Sequence, residues 1–212
     1  MTTRFVVSGT DTGIGKTVFS AVLTAALDGY YWKPVQSGLD EETDSQAVAR
    51  LAGLPQGRIL SEVYKLTAPL SPHQSAALDG TAIAADAFAV PATEGPLVIE
   101  GAGGLLVPLS DDLVFADIFA RWKIPVILCA RTNLGTINHT LLSVEALKHR
   151  RIPLCGIAFI GDENIETQRI IAKMSGARIL GRLPFLPEPG GNALRQAFED
   201  SFDPSSFAEV WA

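Results

Sequence analysis

The chain has 212 residues, 47% of them hydrophobic and 19% charged, and its 17 Lys and Arg against 23 Asp and Glu leave a net charge of −6. Such a composition buries a core and excludes intrinsic disorder, while the acidic balance excludes a surface built to hold a polyanion, so no nucleic-acid partner is expected. No apolar run approaches the ~18 residues of a membrane span, and the opening MTTRFVVSGTDTG turns polar too soon for a signal peptide, which predicts one domain over residues 1–212, in the cytoplasm, with no membrane partner.

In chain order, RFVVSG reads as a buried strand, residues from about 16 to 27 as a helix, YYWKPV as a second strand, and residues from about 43 to 52 as a polar helix. The stretch 56–96 carries Pro69, Pro72 and Gly80, which break any long element, and reads as a loop over the active edge of a sheet. Beyond it, PLVIEG at 96–101, IPVILCA at 124–130, PLCGIAFI at 153–160 and ARILGRLP at 177–184 read as strands buried on both faces. Between them, residues 136–150 place Ile137, Leu141, Val144 and Leu147 on one helical stripe, and residues 165–174 form a shorter, more polar helix. The tail after about residue 197 is an amphipathic end piece. Cys129 and Cys155 lie in apolar runs and read as packed, unreactive thiols. Right-handed crossovers between such strands give an α/β fold: a doubly wound, mainly parallel sheet with helices on both faces.

The first strand runs directly into Gly9-Thr10-Asp11-Thr12-Gly13-Ile14-Gly15-Lys16-Thr17 ahead of a helix, the arrangement of a phosphate-binding loop and hence of a P-loop NTPase-type sheet. Glycines let successive N–H groups curl around phosphate oxygens, the helix N-terminus adds positive partial charge, Lys16 reaches the terminal phosphates, and the Thr17 hydroxyl suits Mg²⁺. The loop is one residue longer than the strict pattern. A P-loop ATPase also needs an acid at the end of a neighbouring buried strand to hold Mg²⁺, and Glu100 fits, since it closes an apolar run and leads into Gly101-Ala102-Gly103-Gly104. Asp40, Glu41, Glu42 and Asp44 stand at the head of a helix, where spacing alone makes them partners of the helix dipole. Lys33, near the C-terminal end of its strand, is either a lysine reaching out from a sheet edge or the holder of a second anionic group beside the nucleotide phosphates, with Gln36-Ser37-Gly38 adding a hydroxyl and a turn. His73, His139 and His149 have no partners at metal-ligand spacing, and no Gly-x-Ser-x-Gly follows a strand, so zinc and Ser-His-Asp hydrolysis are not expected.

GTDTGIGKT, KPVQSG, EGAGGLLVPLSDD and LGTINHTLLSVEAL, in this order and at these distances, resemble the dethiobiotin synthetase family of the biotin pathway over nearly the whole chain. The resemblance implies a ligase that uses ATP and Mg²⁺ to join carbon dioxide, or bicarbonate, to the amines of 7,8-diaminopelargonate and close a cyclic urea, dethiobiotin. It puts Gly13, Ile14, Gly15, Lys16, Thr17 and Val18 on the nucleotide phosphates, Gly101, Ala102 and Gly103 beside them, and Pro184, Phe185 and Leu186 on the base. Thr17, Asp44 and Glu100 are implied as metal ligands, which separates Asp44 from its acidic neighbours. Lys16, Lys33 and Thr12 are implied as catalytic residues, with Lys33 and Ser37 at the carbamate end of the substrate. The substrate's distant carboxylate is implied to meet Gly135, Thr136, Ile137 and Asn138, the head of a helix from the other subunit, and therefore a homodimer with active sites at its interface. Family members often read adenine with an Asn after the strand that here runs 155–160; this chain continues Gly161-Asp162, which predicts relaxed base selection. Two related classes fit less well. Amidoligases of the cobyrinic acid synthase kind carry a glutaminase domain, for which this chain offers no cysteine nucleophile, and positioning ATPases place a signature lysine where Asp11 stands.

Overall fold

The computed structural model describes residues 2–186 and 190–207. Its first half runs β1 (Arg4–Gly9), α1 (Lys16–Ala26), β2 (Tyr30–Trp32), β3 (Val35–Ser37), α2 (Asp44–Ala52), β4 (Ile59–Leu60), β5 (Tyr64–Leu66) and α3 (Pro72–Leu78). The second half runs β6 (Leu97–Gly104), β7 (Pro108–Ser110), β8 (Leu113–Val114), α4 (Phe115–Trp122), β9 (Val126–Arg131), α5 (Thr136–His149), β10 (Leu154–Ile160), α6 (Ile165–Ser175), β11 (Ile179–Leu183) and α7 (Asn192–Ser201). Seven strands form one sheet in the order β11-β10-β9-β1-β6-β2-β4, and every pairing in it is parallel.

Alternation along β1 decides the layers. Phe5 and Val7 join Phe19 of α1, Val48 of α2 and Leu194 of α7 on one face, while Val6 joins Phe119 of α4, Val144 of α5 and Ile171 of α6 on the other. Burying each large apolar side chain stabilises the fold by about 1.5–3 kcal/mol relative to exposure. The α/β fold with helices on both faces is as the sequence predicts, and because all seven strands are parallel their C-terminal ends lie along one edge. That edge carries the P-loop after β1, Lys33 after β2, Glu100 within β6, and residues 184–186 after β11.

Several elements differ from expectation. The segment 56–96 is not simply a loop: β4 closes the sheet's edge beside β2, β5 pairs with β3 in a small sheet of its own, and α3 follows. The YYWKPV strand divides at Lys33-Pro34, where proline supplies no N–H to continue the ladder, and the chain passes to β3. β6 continues beyond Glu100 to Gly104. On α5 the inward residues are Thr136, Thr140, Val144 and Leu147, and Ile137 is exposed. The helix is rolled so that Thr136 Oγ1 can donate to the Arg131 carbonyl at 2.6 Å. The tail is more than an amphipathic end piece, for Phe207 packs on Phe5 and Phe202 on Phe19, with ring centroids 5.9 Å and 5.5 Å apart.

Candidate active site

The P-loop is shaped by positive φ at Gly13 (66°) and Gly15 (94°), the latter immediately before α1. An alanine at Gly15 would strain the backbone and bring its Cβ within 3.0 Å of Ile160 Cγ2. Lys16 is buried, and its ammonium donates to the Asp11 carbonyl at 2.9 Å across the loop. Burial lowers its pKa, against the raising influence of Glu100. Arg131, from the end of β9, donates to the Thr12 carbonyl at 2.8 Å and pins the other side of the loop.

Strand register assembles the charged centre. Trp32 lies opposite Ile99, so Lys33 comes level with Glu100, and alternation sends both side chains to the α1 face, where Thr17 stands in the helix's first turn. Lys33 Nζ lies 2.6 Å from Asp44 Oδ2 and 3.1 Å from Glu100 Oε1, and donates to the Gly101 carbonyl at 3.1 Å. Thr17 Oγ1 lies 2.7 Å from Asp44 Oδ1 and 3.0 Å from Glu100 Oε1, so its one proton serves two carboxylates. Tyr31 donates to Glu100 Oε2 at 3.0 Å. Burial works to lower the Lys33 pKa, but the charges of Glu100 and Asp44 outweigh it and hold the ammonium above its ordinary value. Burial pushes the Asp44 carboxyl up, but Lys33, Thr17 and Lys16 together pull it below its ordinary value, so Asp44 stays ionised. For Tyr31, burial and then the Glu100 charge raise the phenol well above its usual range, which keeps its proton on.

Asp44 reaches this centre because α2 is aimed there. Thr43 caps the helix in a capping box with Gln46, and the Asp44 N–H donates to Gln36 Oε1 at 3.2 Å. Gln36 Nε2 in turn donates to the carbonyls of Ser37 and Gly38, at 3.1 Å and 3.3 Å. Ser37 Oγ is buried with no hydrogen-bond partner among the described residues.

One cavity of about 760 Å³ gathers Thr12, Gly13, Ile14, Gly15, Lys16, Thr17, Lys33, Ser37, Asp44, Glu100, Ala102 and Gly103. Residues 69–71 and, from the first turn of α3, Pro72 and Gln74 also line it. Gly101 does not line it but faces it through the carbonyl bonded to Lys33. An adjoining cavity of about 350 Å³ shares Gly13 to Gly15 and is completed by Val18, Pro184, Phe185 and Leu186, with Arg131 and Asn133. Gly135 and Thr136 stand apart in a hollow of about 90 Å³ with Thr10 and Asp11, and Ile137 and Asn138 are exposed beside it. Thus one chain brings the phosphate-loop, metal and Lys33–Ser37 candidates together, and leaves the head of α5 outside their cavity.

Thr17, Asp44 and Glu100 offer three hard oxygen donors to one point, which fits Mg²⁺. Among the described residues no group of three His, Cys, Asp or Glu could hold a metal, so this donor set needs phosphate and water oxygens to complete six-fold coordination. Tyr31, Gln36 and Arg131 contact the site and carry no role in the sequence reading; for Tyr31 the signal was its place two residues before Lys33, on the same strand face. Both cysteines are packed as expected: burial raises the Cys129 thiol far above its ordinary range, and Cys155 to about 11.

A parallel sheet whose first strand delivers a glycine loop, a buried lysine and a helix N-terminus, with a carboxylate on the adjacent strand, defines a P-loop NTPase-like nucleotide-binding protein. The AAA domain family matches residues 3–192. The ATP-dependent dethiobiotin synthetase of Agrobacterium fabrum (strain C58) is 64% identical over 210 residues, covering 99% of each chain. That of Rhodopseudomonas palustris (strain BisB5) is 61% identical over 212 residues, covering 100% of each. The chain belongs to the ATP-dependent dethiobiotin synthetase family. A ParA-family ATPase from Chlorobium tepidum, a solved structure, is similar over 100% of this chain and 93% of that one at 16% identity and a TM-score of 0.49, too distant to bear on function.

Proposed function

We propose that this protein makes dethiobiotin from 7,8-diaminopelargonate, carbon dioxide and ATP, acting in the cytoplasm as a homodimeric ligase with Mg²⁺. Membership of the family supports the reaction, and one observation carries it to these residues: a buried second lysine, Lys33, sits between two carboxylates beside the P-loop and next to the unpartnered Ser37 hydroxyl. The chemistry accounts for this set. A diamine nitrogen takes up carbon dioxide as an anionic carbamate, which must then meet the equally anionic γ-phosphate. Lys16 exchanges the Asp11 carbonyl for phosphate oxygens, and the backbone of Gly13 to Val18 follows them. Lys33 and Ser37 hold the carbamate, and Thr12 closes the same wall. Thr17, Asp44 and Glu100 would hold Mg²⁺, which supplies neutralising charge to the phosphates. The carbamate oxygen attacks the γ-phosphorus, ADP leaves, and the mixed anhydride that results is attacked at its carbonyl by the second amine, which loses a proton, expels phosphate and closes the ring.

The dimer is supported by what lies outside the cavity. Leu134, Ile137 and Leu142 of α5 and its approach, with Leu106 opposite, are exposed on one side of the molecule, and Leu106 and Leu142 line a shared groove of about 450 Å³. A second copy covering them would also bring the head of its α5, Gly135 to Asn138, toward this chain's substrate, as binding of a distant carboxylate requires. On the base side, Pro184, Phe185 and Leu186 with Asn133 make the walls, a lining we read as tolerant of bases other than adenine.

The test is phosphate release from ATP, Mg²⁺ and bicarbonate, with and without 7,8-diaminopelargonate, with the product identified by mass spectrometry. Release that depends on the diamine, with a product whose mass is that of the diamine plus one carbon dioxide less one water, is expected. Diamine-independent hydrolysis without that product would move the function to a switch ATPase. Replacing ATP by GTP or CTP in the same assay is expected to retain turnover.

A further inference from the structure

Tyr31 is the member of the charged centre to which the mechanism gives no task. Its side chain is fully buried on the α1 face of the sheet, where β2 pairs it with Val98 of β6. Glu100 lies two residues further along β6 on the same face, so the phenol ends beneath the carboxylate and donates to Oε2 at 3.0 Å. The other oxygen, Oε1, meets Thr17 at 3.0 Å and Lys33 at 3.1 Å. The two oxygens are therefore divided, one anchored from below and one turned to the cavity. The last torsion of a glutamate is broad and roughly two-fold, so the side chain itself does not choose which oxygen faces where. A phenylalanine would fill the same volume without burying a hydroxyl, whose burial costs free energy unless it is bonded.

We infer that Tyr31 is a positioning residue for Glu100, fixing Oε2 so that Oε1 is the oxygen presented to the metal. The inference rests on the reading of Glu100 as a metal-binding acid. Hydrogen bonds behind a ligating carboxylate orient it and raise metal affinity, and their loss typically costs about 10–100-fold. Tyr31 would then set the affinity for Mg²⁺ without touching nucleotide or diamine.

The experiment is calorimetric titration of the folded, full-length protein with the imido analogue of ATP, with saturating Mg²⁺ and again in EDTA. The ratio of the two affinities reads the metal's contribution. Tyr31→Phe is expected to shrink that ratio about tenfold or more, to leave the affinity in EDTA unchanged, and to raise the Mg²⁺ concentration needed for half-maximal turnover while turnover at saturating Mg²⁺ is kept. Val98→Ala, which loosens the same packing but makes no bond to Glu100, is expected to leave the ratio alone. An unchanged ratio in Tyr31→Phe, or an equal fall in Val98→Ala, overturns the inference. Glu100→Gln separates the two levels: if it too leaves the ratio unchanged, the assignment of Glu100 to the metal fails, and the role of Tyr31 with it. If Glu100→Gln collapses the ratio and Tyr31→Phe does not, only the role of Tyr31 falls.

Discussion

The cavity at the ends of β1, β2 and β6 and the surface around the head of α5 are built on opposite lines. The first buries Lys16, Lys33 and Glu100 almost completely and gives each charge a partner from its own chain. The second exposes Leu134 and Leu142 to solvent and holds an inward hydroxyl, that of Thr136, on the Arg131 carbonyl. Burying charge is costly unless it is paired and hydrogen-bonded, so a centre of this kind has to be complete within the folded chain. Exposed leucines clustered on one side cost little in a monomer, and they form the surface that the proposed second copy would cover. Under the proposed function, the difference means that the phosphate-binding centre is prepared at the folding of one chain, whereas recognition of the far end of the substrate would wait for a second copy.

Lys33→Gln strikes the self-contained half and should have the largest effect: turnover falls on the order of 10²–10³, while ATP affinity measured by calorimetry is unchanged. Equal loss of both would refute the placement of Lys33 at the substrate end. Leu142→Glu strikes the other half, and placing a charge on the proposed dimer face should weaken association by about 2 kcal/mol or more. Light scattering should then show monomer, with turnover lost and nucleotide affinity kept; a variant that stays dimeric removes this face as the interface. Gln36→Ala sharpens the boundary between the halves, since it takes away the acceptor for the Asp44 N–H and two bonds to the Ser37–Gly38 turn. Urea titration should show a loss of about 1–3 kcal/mol, with the KM for the diamine rising more than that for ATP.

The smallest effect concerns α3, whose first turn lines the cavity. Asp79, at the C-terminal end of α3, accepts from the hydroxyl and the N–H of Thr67, and these bonds hold its carboxyl below the usual range. A depressed carboxylate adds stability above its unfolded pKa and loses it as pH falls through the folded value. Between neutrality and about pH 4 the difference in urea midpoint between wild type and Asp79→Asn should therefore stay constant, and below that the midpoint of wild type should fall slightly more steeply than that of the variant. A steeper fall in the variant would show that the tie between α3 and β5 lies elsewhere.

What the sequence made legible follows from how local each signal is. The P-loop is contiguous, so its residues and its place between strand and helix could be read directly, and Glu100 followed from the end of an apolar run. Asp44 could not be separated from Asp40, Glu41 and Glu42 by spacing, because what selects it is the path of the chain: the Thr43 cap and the Gln36 tether point only the first residue of α2 at Thr17. Tyr31 was hidden by its own apolarity, since a tyrosine in Tyr30-Tyr31-Trp32 reads as core until strand register sets it under Glu100. β4 and β5, of two and three residues, were masked by flanking prolines and glycines, and they form only because β2 and β3 offer edges to pair with. α4, FADIFARW, does carry Phe115, Ala116, Ile118 and Phe119 on its buried side, but a run of 8 residues is too short to fix a helical period from sequence.

The aromatic tail has a consequence for synthesis. Phe202 and Phe207 close the packing over Phe19 and Phe5, residues that follow and precede the phosphate loop near the start of the chain. Because a ribosome delivers the chain from its N-terminus, the loop and the helix behind it leave the exit tunnel long before the side chains that cover them. The nascent protein therefore leaves the apolar packing behind the phosphate loop uncovered until residues 202–207 have emerged, and a ribosome stalled short of them yields a chain with every phosphate-loop residue present and that packing open.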